Sequence, residues 1–230
     1  MNINELQIMN SERQNCGTTL TNNKDLEKNG YIVVRNICDP EELYHPIPRE
    51  RGTLVYFRND LNNFSHDPKG QQVEGSLSRI HHPQYKMIFK QIRKKIEEVI
   101  GRKITPTFYY DRYYFEGQSL PKFTTNNACE ISCIVSISNN LEEPWPHWIK
   151  TTDVYTDAQK SLVLIPGEER SLVLEPGDAL IYKGCERPLW KDKMPSPKPK
   201  LFGRKSKREL YSHEVCFNYV LADGLRSHES

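Results

Sequence analysis

The chain has 230 residues and a mass of 26.9 kDa, with 32 lysines and arginines against 30 acidic residues. This length suffices for one large domain or two small ones, and the absence of long apolar runs and Gly-X-Y repeats excludes membrane spans and collagen-like fibres. A net charge of +2 gives no overall attraction to nucleic acid or to an anionic membrane. We therefore expect no membrane partner, and any anionic partner has to bind a local patch.

The cysteines show no spacing typical of a zinc ribbon or a disulfide scaffold. None of the 6 forms a Cys-x-x-Cys pair: Cys16, Cys38, Cys129, Cys133, Cys185 and Cys216. The first ten residues, MNINELQIMN, carry an acid where a signal peptide needs basic and then apolar residues. These features predict reduced thiols and a cytoplasmic protein.

The first half of the chain predicts a loose segment followed by short elements. Residues 1–23 are polar and aperiodic, which predicts a flexible N-terminal arm, and residues 24–230 are expected to form one domain. A short helix is predicted to end at Gly30, and Tyr31–Ile37 reads as a strand. Asp39 precedes a proline and two glutamates, a pattern that favours a helix start. The segment from residue 44 to about residue 78 is predicted to consist of loops.

One long helix is predicted before Gly101. Its apolar residues recur at three- and four-residue steps, and charged residues fill the opposite face. The apolar positions are Tyr85, Phe89, Ile92, Ile96 and Val99.

After Gly101 the helical period gives way to short β-rich runs separated by Gly, Pro and Asn. The predicted strands are Thr107–Phe115, Glu130–Ser138, His147–Lys150, Ser161–Ile165, Ser171–Leu174, Ala179–Lys183 and His213–Leu221. Glu175–Asp178 is predicted to be a tight turn. Helices followed by many short strands indicate a mainly β jelly roll with helical buttresses.

Seven short segments stand in an order and spacing that match one enzyme family over residues 26 to 222. The segments are Gln72–Ser78, Pro106–Tyr114, Cys129–Ser132, Pro144–Pro146, Pro176–Ala179, Gly184–Glu186 and Phe217–Val220. Together they resemble the Fe(II)/2-oxoglutarate-dependent oxygenases, in particular a prolyl-hydroxylase-like branch. The resemblance implies a double-stranded β-helix, a cupin-like jelly roll. It also implies iron held by two histidines and one carboxylate, with 2-oxoglutarate as co-substrate and a hydroxylated product.

The iron-binding triad that the resemblance implies is missing. Phe123 and Thr125 stand where the family has His-x-Asp, and Leu189 stands where it has the second histidine. None of the 7 histidines has an acid two residues later. Ferrous iron needs three protein donors on one side, and apolar side chains cannot replace its hydration. We therefore expect a repurposed fold with metal-independent binding or chemistry, no metal ligands and no cofactor.

Other functions stay open. An active hydroxylase with rearranged ligands would use Fe(II) and 2-oxoglutarate, with His147 or His213 facing the barrel interior beside Glu130 or Cys185. A structural or interaction protein, for example a phage assembly or virion component, would fill the pocket with its own side chains. A metal-independent enzyme would keep a small-molecule pocket and tolerate EDTA. The partner is expected to be a small molecule or a protein.

A ligand pocket is expected inside the barrel, with no catalytic residue assigned. Its candidate residues are Arg112, Tyr114, Phe123, Thr125, Glu130, His147, Cys185, Leu189 and Trp190. A buried arginine needs an anion or a carboxylate, and Glu130 or Glu186 would serve Arg112. Neighbouring cations would lower the pKa of the Cys185 thiol.

A basic insertion is predicted at residues 191–208, where prolines alternate with lysines and arginines. Its candidate anion-binding residues are Lys198, Lys200, Arg204, Lys205, Lys207 and Arg208. Such a segment either binds a phosphate-bearing partner, including nucleic acid, or is a solvated loop.

Overall fold

Two antiparallel sheets face each other and enclose the interior of a β-barrel. The computed structural model describes residues 24–43, 72–158, 161–196 and 210–229. The predicted arm at residues 1–23 lies outside the described residues. So do the candidate anion-binding residues between residues 197 and 209, whose role stays a prediction.

The three α-helices lie in the first half of the described chain, and most of the strands follow them. The helices are α1 (Lys24–Asn29), α2 (Pro40–Leu43) and α3 (Lys86–Ile100), with 3-10 turns at Pro83–Tyr85, Asn127–Cys129 and Ser227–Glu229. The strands are β1 (Tyr31–Val34), β2 (Leu77–Ile80), β3 (Ile104–Phe115), β4 (Leu120–Phe123), β5 (Ile131–Asn139), β6 (His147–Lys150), β7 (Val154–Ala158), β8 (Ser161–Ile165), β9 (Glu169–Leu172), β10 (Ala179–Tyr182), β11 (Leu189–Lys191) and β12 (Tyr211–Leu221). No helix within the described ranges is long and apolar enough to cross a membrane.

The strand order gives the barrel its two walls. The larger sheet runs β1-β10-β5-β12-β3-β2, and the smaller sheet runs β4-β11-β6-β9. Strands β7 and β8 form a separate two-stranded hairpin. This architecture confirms the predicted double-stranded β-helix with helical buttresses. The sequence did not predict β2, β4, β7 and β11, which are three to five residues long and carry too few residues for a clear alternation.

Helix α3 covers the outer face of the larger sheet. Its buried side chains are Ile88, Phe89, Ile92, Ile96, Val99 and Ile100, the stripe that the sequence period predicted. Phe89 stacks on Phe217 of β12 with ring centroids 5.6 Å apart. The helix ends at Gly101, which adopts the left-handed conformation (φ 67°) and donates its backbone N–H to the Glu97 carbonyl at 2.9 Å.

A second apolar cluster fills the space between the two sheets. It includes Tyr114, Ile134, Ile149, Leu180 and Leu189. Because side chains alternate along a strand, β12 sends Glu214 and Cys216 into the barrel, and His213 and Phe217 toward α3. This alternation decides which polar groups lie in the barrel.

The predicted tight turn before β10 depends on Gly177. This residue has φ +92°, and a Cβ there would lie 2.8 Å from the Cys38 carbonyl oxygen. We expect Gly177→Ala to lower the free energy of unfolding by about 1–3 kcal/mol, since both the backbone and the contact become strained. Urea denaturation followed by circular dichroism measures the loss.

Gly117→Ala is the control for this prediction. Gly117 has a similar φ of +81°, but a Cβ added there would lie 3.5 Å from its nearest neighbour, the flexible Lys193 side chain. If Gly117→Ala lowered the free energy of unfolding as much as Gly177→Ala, the contact with the Cys38 carbonyl would contribute nothing to the effect.

Candidate active site of the barrel

The two strand positions expected to carry the iron-binding histidines face each other and are apolar. Phe123 at the end of β4 pairs with Leu189 at the start of β11. Leu189 is 1% exposed. Both side chains line an interior void of about 20 Å³, together with Tyr110, Arg112, Tyr114, Leu120, Ile134, Tyr182, Glu214 and Cys216. The barrel is therefore nearly filled at this end by its own side chains.

A buried ionic cluster lies inside the barrel, next to this void. Glu214 of β12 accepts a hydrogen bond from the Lys191 ammonium through Oε1, and its Oε2 lies 3.1 Å from His147 Nε2. The Lys191 Nζ also sits 3.8 Å from the ring centroid of Trp145 and 5.3 Å from that of Tyr114. The ammonium is thus enclosed by one carboxylate and two aromatic rings.

Burial and charge set the protonation states in this cluster. Burial raises the pKa of Glu214, but attraction and hydrogen bonds from His147 and Lys191 outweigh it and hold that pKa below the usual value. Burial lowers the pKa of His147 despite the nearby Glu214 carboxylate. Burial also lowers the pKa of Lys191 against the opposing pull of Glu214. We conclude that Glu214 is ionised at pH 7.

A polar cavity of about 200 Å³ opens above this cluster. Its lining residues are Ser136, Asn139, Leu141, Glu142, Glu143, Pro144, Trp145, His147, Val173, Leu174, Glu175, Lys191, Ser212 and Glu214. In the pairing of β4 with β11, Lys191 lies opposite Leu120, whereas Leu189 lies opposite Phe123. Glu214 lines both this cavity and the void beside Phe123 and Leu189, so the cavity lies next to that void, on the side of Lys191.

By sequence, no family model and no curated protein matches the chain. Among solved structures, a prolyl-4-hydroxylase from Pseudomonas putida is 12% identical to the chain, with a TM-score of 0.54 over 85% of this chain and 96% of that one. The α-ketoglutarate-dependent carbocyclase SnoK from nogalamycin biosynthesis is 9% identical, with a TM-score of 0.56 over 92% of this chain and 88% of that one. The epimerase SnoN in complex with Fe³⁺, α-ketoglutarate and nogalamycin RO is 9% identical, with a TM-score of 0.53 over 85% of this chain and 81% of that one. This chain has the fold of the 2OG-Fe(II) oxygenases.

The residues of this oxygenase-fold chain do not fit the iron that the fold implies. Phe123 and Leu189 offer no donor atom. The Thr125 hydroxyl instead lies 3.4 Å from the Cys129 carbonyl, to which it donates, and the Thr125 backbone N–H donates to the Gly184 carbonyl at 3.0 Å. Within the ranges that the structure describes, no three His, Cys, Asp or Glu side chains come together as a metal site.

The predicted partner of Arg112 was wrong. Arg112 points into the barrel beside Tyr114, as expected, but its guanidinium donates to Gln72 Oε1 at 3.0 Å and to Ser78 Oγ at 3.2 Å. Glu130 lies outside the barrel, where it accepts from Arg226 at 3.1 Å. Neutral amide and hydroxyl oxygens therefore take the place of the expected carboxylate.

The two histidines proposed as rearranged ligands belong to different sheets, His147 to β6 of the smaller sheet and His213 to β12 of the larger sheet. His147 faces the barrel, but beside Glu214 and Lys191 rather than beside Glu130 or Cys185. His213 faces α3, and its Nε2 lies 3.0 Å from Asp111 Oδ2. Because side chains alternate along β12, His213 points away from the barrel interior and does not share a site with His147.

Two other pocket predictions were wrong. Trp190 lies on the outer face of the smaller sheet, stacked on Trp148 with ring centroids 6.1 Å apart, so it does not fill the barrel. Cys185 is half-buried, and its thiol donates to the Asn126 carbonyl at 2.9 Å. Burial raises the pKa of Cys185 more than Arg226 lowers it, which reverses the expected activation.

Sequence reasoning missed the residues that form the buried cluster. Lys191 was assigned to the basic insertion, yet it belongs to β11 and is 2% exposed. Glu214 and Trp145 were not singled out. The available signal was position: Glu214 alternates with the apolar Val215 and Phe217 in a strand that the sequence did predict.

Proposed function

We propose that this oxygenase-fold protein has lost the iron site of the fold and acts by metal-independent binding of a small molecule. The observation that carries the proposal is the direct pairing of Phe123 with Leu189 across β4 and β11. Two apolar side chains in these places leave a metal ion without the histidine donors that the fold uses.

The size of the interior void supports the same proposal. A void of about 20 Å³ has room for roughly one water molecule. A keto acid with two carboxylates needs far more space and cationic or hydrogen-bonding partners at both ends. Arg112 is the guanidinium that lines the void, and it already donates to Gln72 and Ser78. The larger cavity lies beside Lys191 and Glu214 instead.

Anaerobic equilibrium dialysis of ferrous iron, with and without 2-oxoglutarate, tests the proposal. We expect no specific iron binding under either condition, because the part of the barrel that the structure describes brings no three metal-ligating side chains together. SnoN, whose solved structure holds Fe³⁺ and α-ketoglutarate, serves as the positive control under the same conditions.

Near-stoichiometric iron that binds more tightly with 2-oxoglutarate would overturn the proposal. In that case His147→Gln and His213→Gln would be dialysed next, because the rearranged-ligand alternative assigns the iron to one of these two imidazoles. Unchanged iron binding in both variants would place the metal on residues other than these.

A further inference from the structure

We infer that Lys191 forms an imine with a small aldehyde that enters the cavity beside it. The inference rests on the proposed function, since it names the ligand class of a metal-independent binding protein and the bond that would hold the ligand. It is carried by an amine in the wall of a cavity that opens to solvent, by an imidazole in the same wall, and by the size of that cavity.

The cavity connects the Lys191 side chain to solvent. Lys191, His147 and Trp145 are buried residues of its lining. Pro144 and Glu175 line the same cavity and are exposed. A small molecule that enters past these two exposed residues therefore reaches the Lys191 amine without opening the barrel.

The surroundings of Lys191 suit an amine that attacks a carbonyl carbon. Burial lowers the pKa of Lys191 against the opposing attraction of Glu214, which increases the fraction of the neutral, nucleophilic amine. The Lys191 Nζ lies 3.8 Å from the ring centroid of Trp145 and 5.3 Å from that of Tyr114. Because two rings flank the amine, an aldehyde carbon, which carries a hydrogen atom, is less hindered there than a ketone carbon.

Glu214 balances the positive charge before and after this reaction. Its carboxylate accepts a hydrogen bond from the Lys191 ammonium. Condensation of the ammonium with an aldehyde forms the C=N bond of a protonated imine and releases the aldehyde oxygen as water. The protonated imine has the same single positive charge as the ammonium and keeps one N–H for Glu214. The ion pair therefore persists, and no buried charge loses its partner.

His147 lines the cavity beside this ion pair and can carry the transferred protons. Its Nε2 lies 3.1 Å from Glu214 Oε2, and because an ionised carboxylate only accepts hydrogen bonds, Nε2 carries a hydrogen. The buried Nδ1 has no hydrogen-bond partner within the described part of the chain. Condensation moves two protons from the Lys191 nitrogen to the aldehyde oxygen. Nδ1 accepts each proton in turn and passes it to that oxygen, which leaves as water.

The volume of the cavity limits the aldehyde. A volume of about 200 Å³ corresponds to roughly six or seven water-sized groups, at about 30 Å³ for each water in the liquid. Leu141, Val173 and Leu174 add apolar side chains to the lining. A short aliphatic aldehyde of about five non-hydrogen atoms therefore fits, whereas a bicyclic aromatic aldehyde of about twelve does not.

Reductive trapping of two aldehydes tests the inference. The purified full chain is incubated with butanal or with naphthaldehyde in the presence of cyanoborohydride, which reduces protonated imines to stable secondary amines. Mass spectrometry of peptides gives the rate of modification at each lysine. Lys122 is the matched control within each sample: its ammonium also pairs with a glutamate, Glu169, and lies 4.2 Å from the ring centroid of Trp190, but its side chain is 46% exposed.

We expect butanal to modify Lys191 at least about tenfold faster than Lys122, since the cavity holds the aldehyde beside a desolvated amine. Naphthaldehyde is expected to modify Lys122 and to leave Lys191 unmodified, because it does not fit the cavity.

The variant His147→Gln tests the proton transfer. Glutamine keeps a hydrogen-bond donor for Glu214 but lacks the Nδ1 that carries the protons, so butanal capture at Lys191 is expected to slow at least about tenfold. Capture at Lys122 is expected to stay unchanged in the same sample, and circular dichroism verifies that the variant is folded.

Two results with the wild-type chain would overturn the inference: capture of butanal at Lys191 no faster than at Lys122, or capture of naphthaldehyde at Lys191 as fast as capture of butanal. Neither measurement depends on the folding of a variant. Unchanged capture in His147→Gln would overturn the role of this imidazole. Because iron binding is measured separately by dialysis, a failure of aldehyde capture at Lys191 is distinguishable from a failure of the proposed function.

Discussion

Replacing Glu214 with glutamine is expected to lower the free energy of unfolding by about 3–5 kcal/mol. The Lys191 side chain is only 1% exposed, and Glu214 is its carboxylate partner within the described chain. The variant leaves an ammonium group buried between Trp145 and Tyr114 without a counter-charge. Urea denaturation at pH 7, followed by circular dichroism, measures the loss.

Two further variants separate the ion pair from other causes. The double variant Glu214→Gln/Lys191→Met removes both charges, so we expect it to recover most of the lost stability. Glu116→Gln changes an exposed carboxylate and is expected to stay within about 0.5 kcal/mol of the wild type. A loss below about 1 kcal/mol for Glu214→Gln would contradict a closed, buried ion pair.

The parts of the fold that the sequence predicted well depend on local periodicity. Helix α3 repeats its apolar residues over four turns, and Gly101 ends it because the left-handed conformation suits glycine. The long strand β12 likewise carries enough residues to show its pattern. In both elements the signal is contained in a contiguous stretch of sequence.

The short strands of the smaller sheet gave no such signal. Strand β11 has three residues and β4 has four, including Pro121. Their existence depends on neighbouring strands rather than on propensity, because a strand is stabilised by its cross-strand contacts. The match of Phe123 and Leu189 to the missing histidines came from motif spacing, and the structure places these two residues opposite each other.

The buried cluster could not be predicted from sequence for a related reason. His147, Lys191 and Glu214 come from three strands, and Glu214 is separated from His147 by 67 residues and from Lys191 by 23. Lys191 also begins a run of basic residues, so local charge favoured a solvated segment. Only the pairing of the strands in the folded barrel shows that the Lys191 ammonium lies in the barrel interior.

The outer face of the larger sheet holds a second buried ionic cluster, centred on Asp111. This side chain is fully buried and accepts hydrogen bonds from the Arg79 guanidinium. Its Oδ2 also lies 3.0 Å from His213 Nε2 and 3.3 Å from the Tyr85 hydroxyl. Burial raises the pKa of Asp111, but the hydrogen bonds from His213 and Arg79 outweigh it and lower that pKa below the usual value.

We expect Asp111→Asn to lower the free energy of unfolding by about 3–5 kcal/mol at pH 7, because Arg79 would stay buried without its carboxylate. A lowered folded-state pKa contributes stability above the unfolded pKa of about 4, and that stability disappears as the pH falls toward the folded value. The contribution of the Asp111 carboxylate to the difference between wild type and variant is therefore expected to narrow below about pH 4.

Urea denaturation at several pH values measures this difference, with Asp223→Asn as the matched control. Asp223 also accepts from an arginine, Arg102, but its side chain is 73% exposed. An exposed pair of this kind contributes about 0–1 kcal/mol, so the control is expected to change little at any pH. An Asp111→Asn loss as small as that of Asp223→Asn would show that Arg79 does not depend on this carboxylate. A loss that widened below pH 4 would contradict the lowered pKa of Asp111.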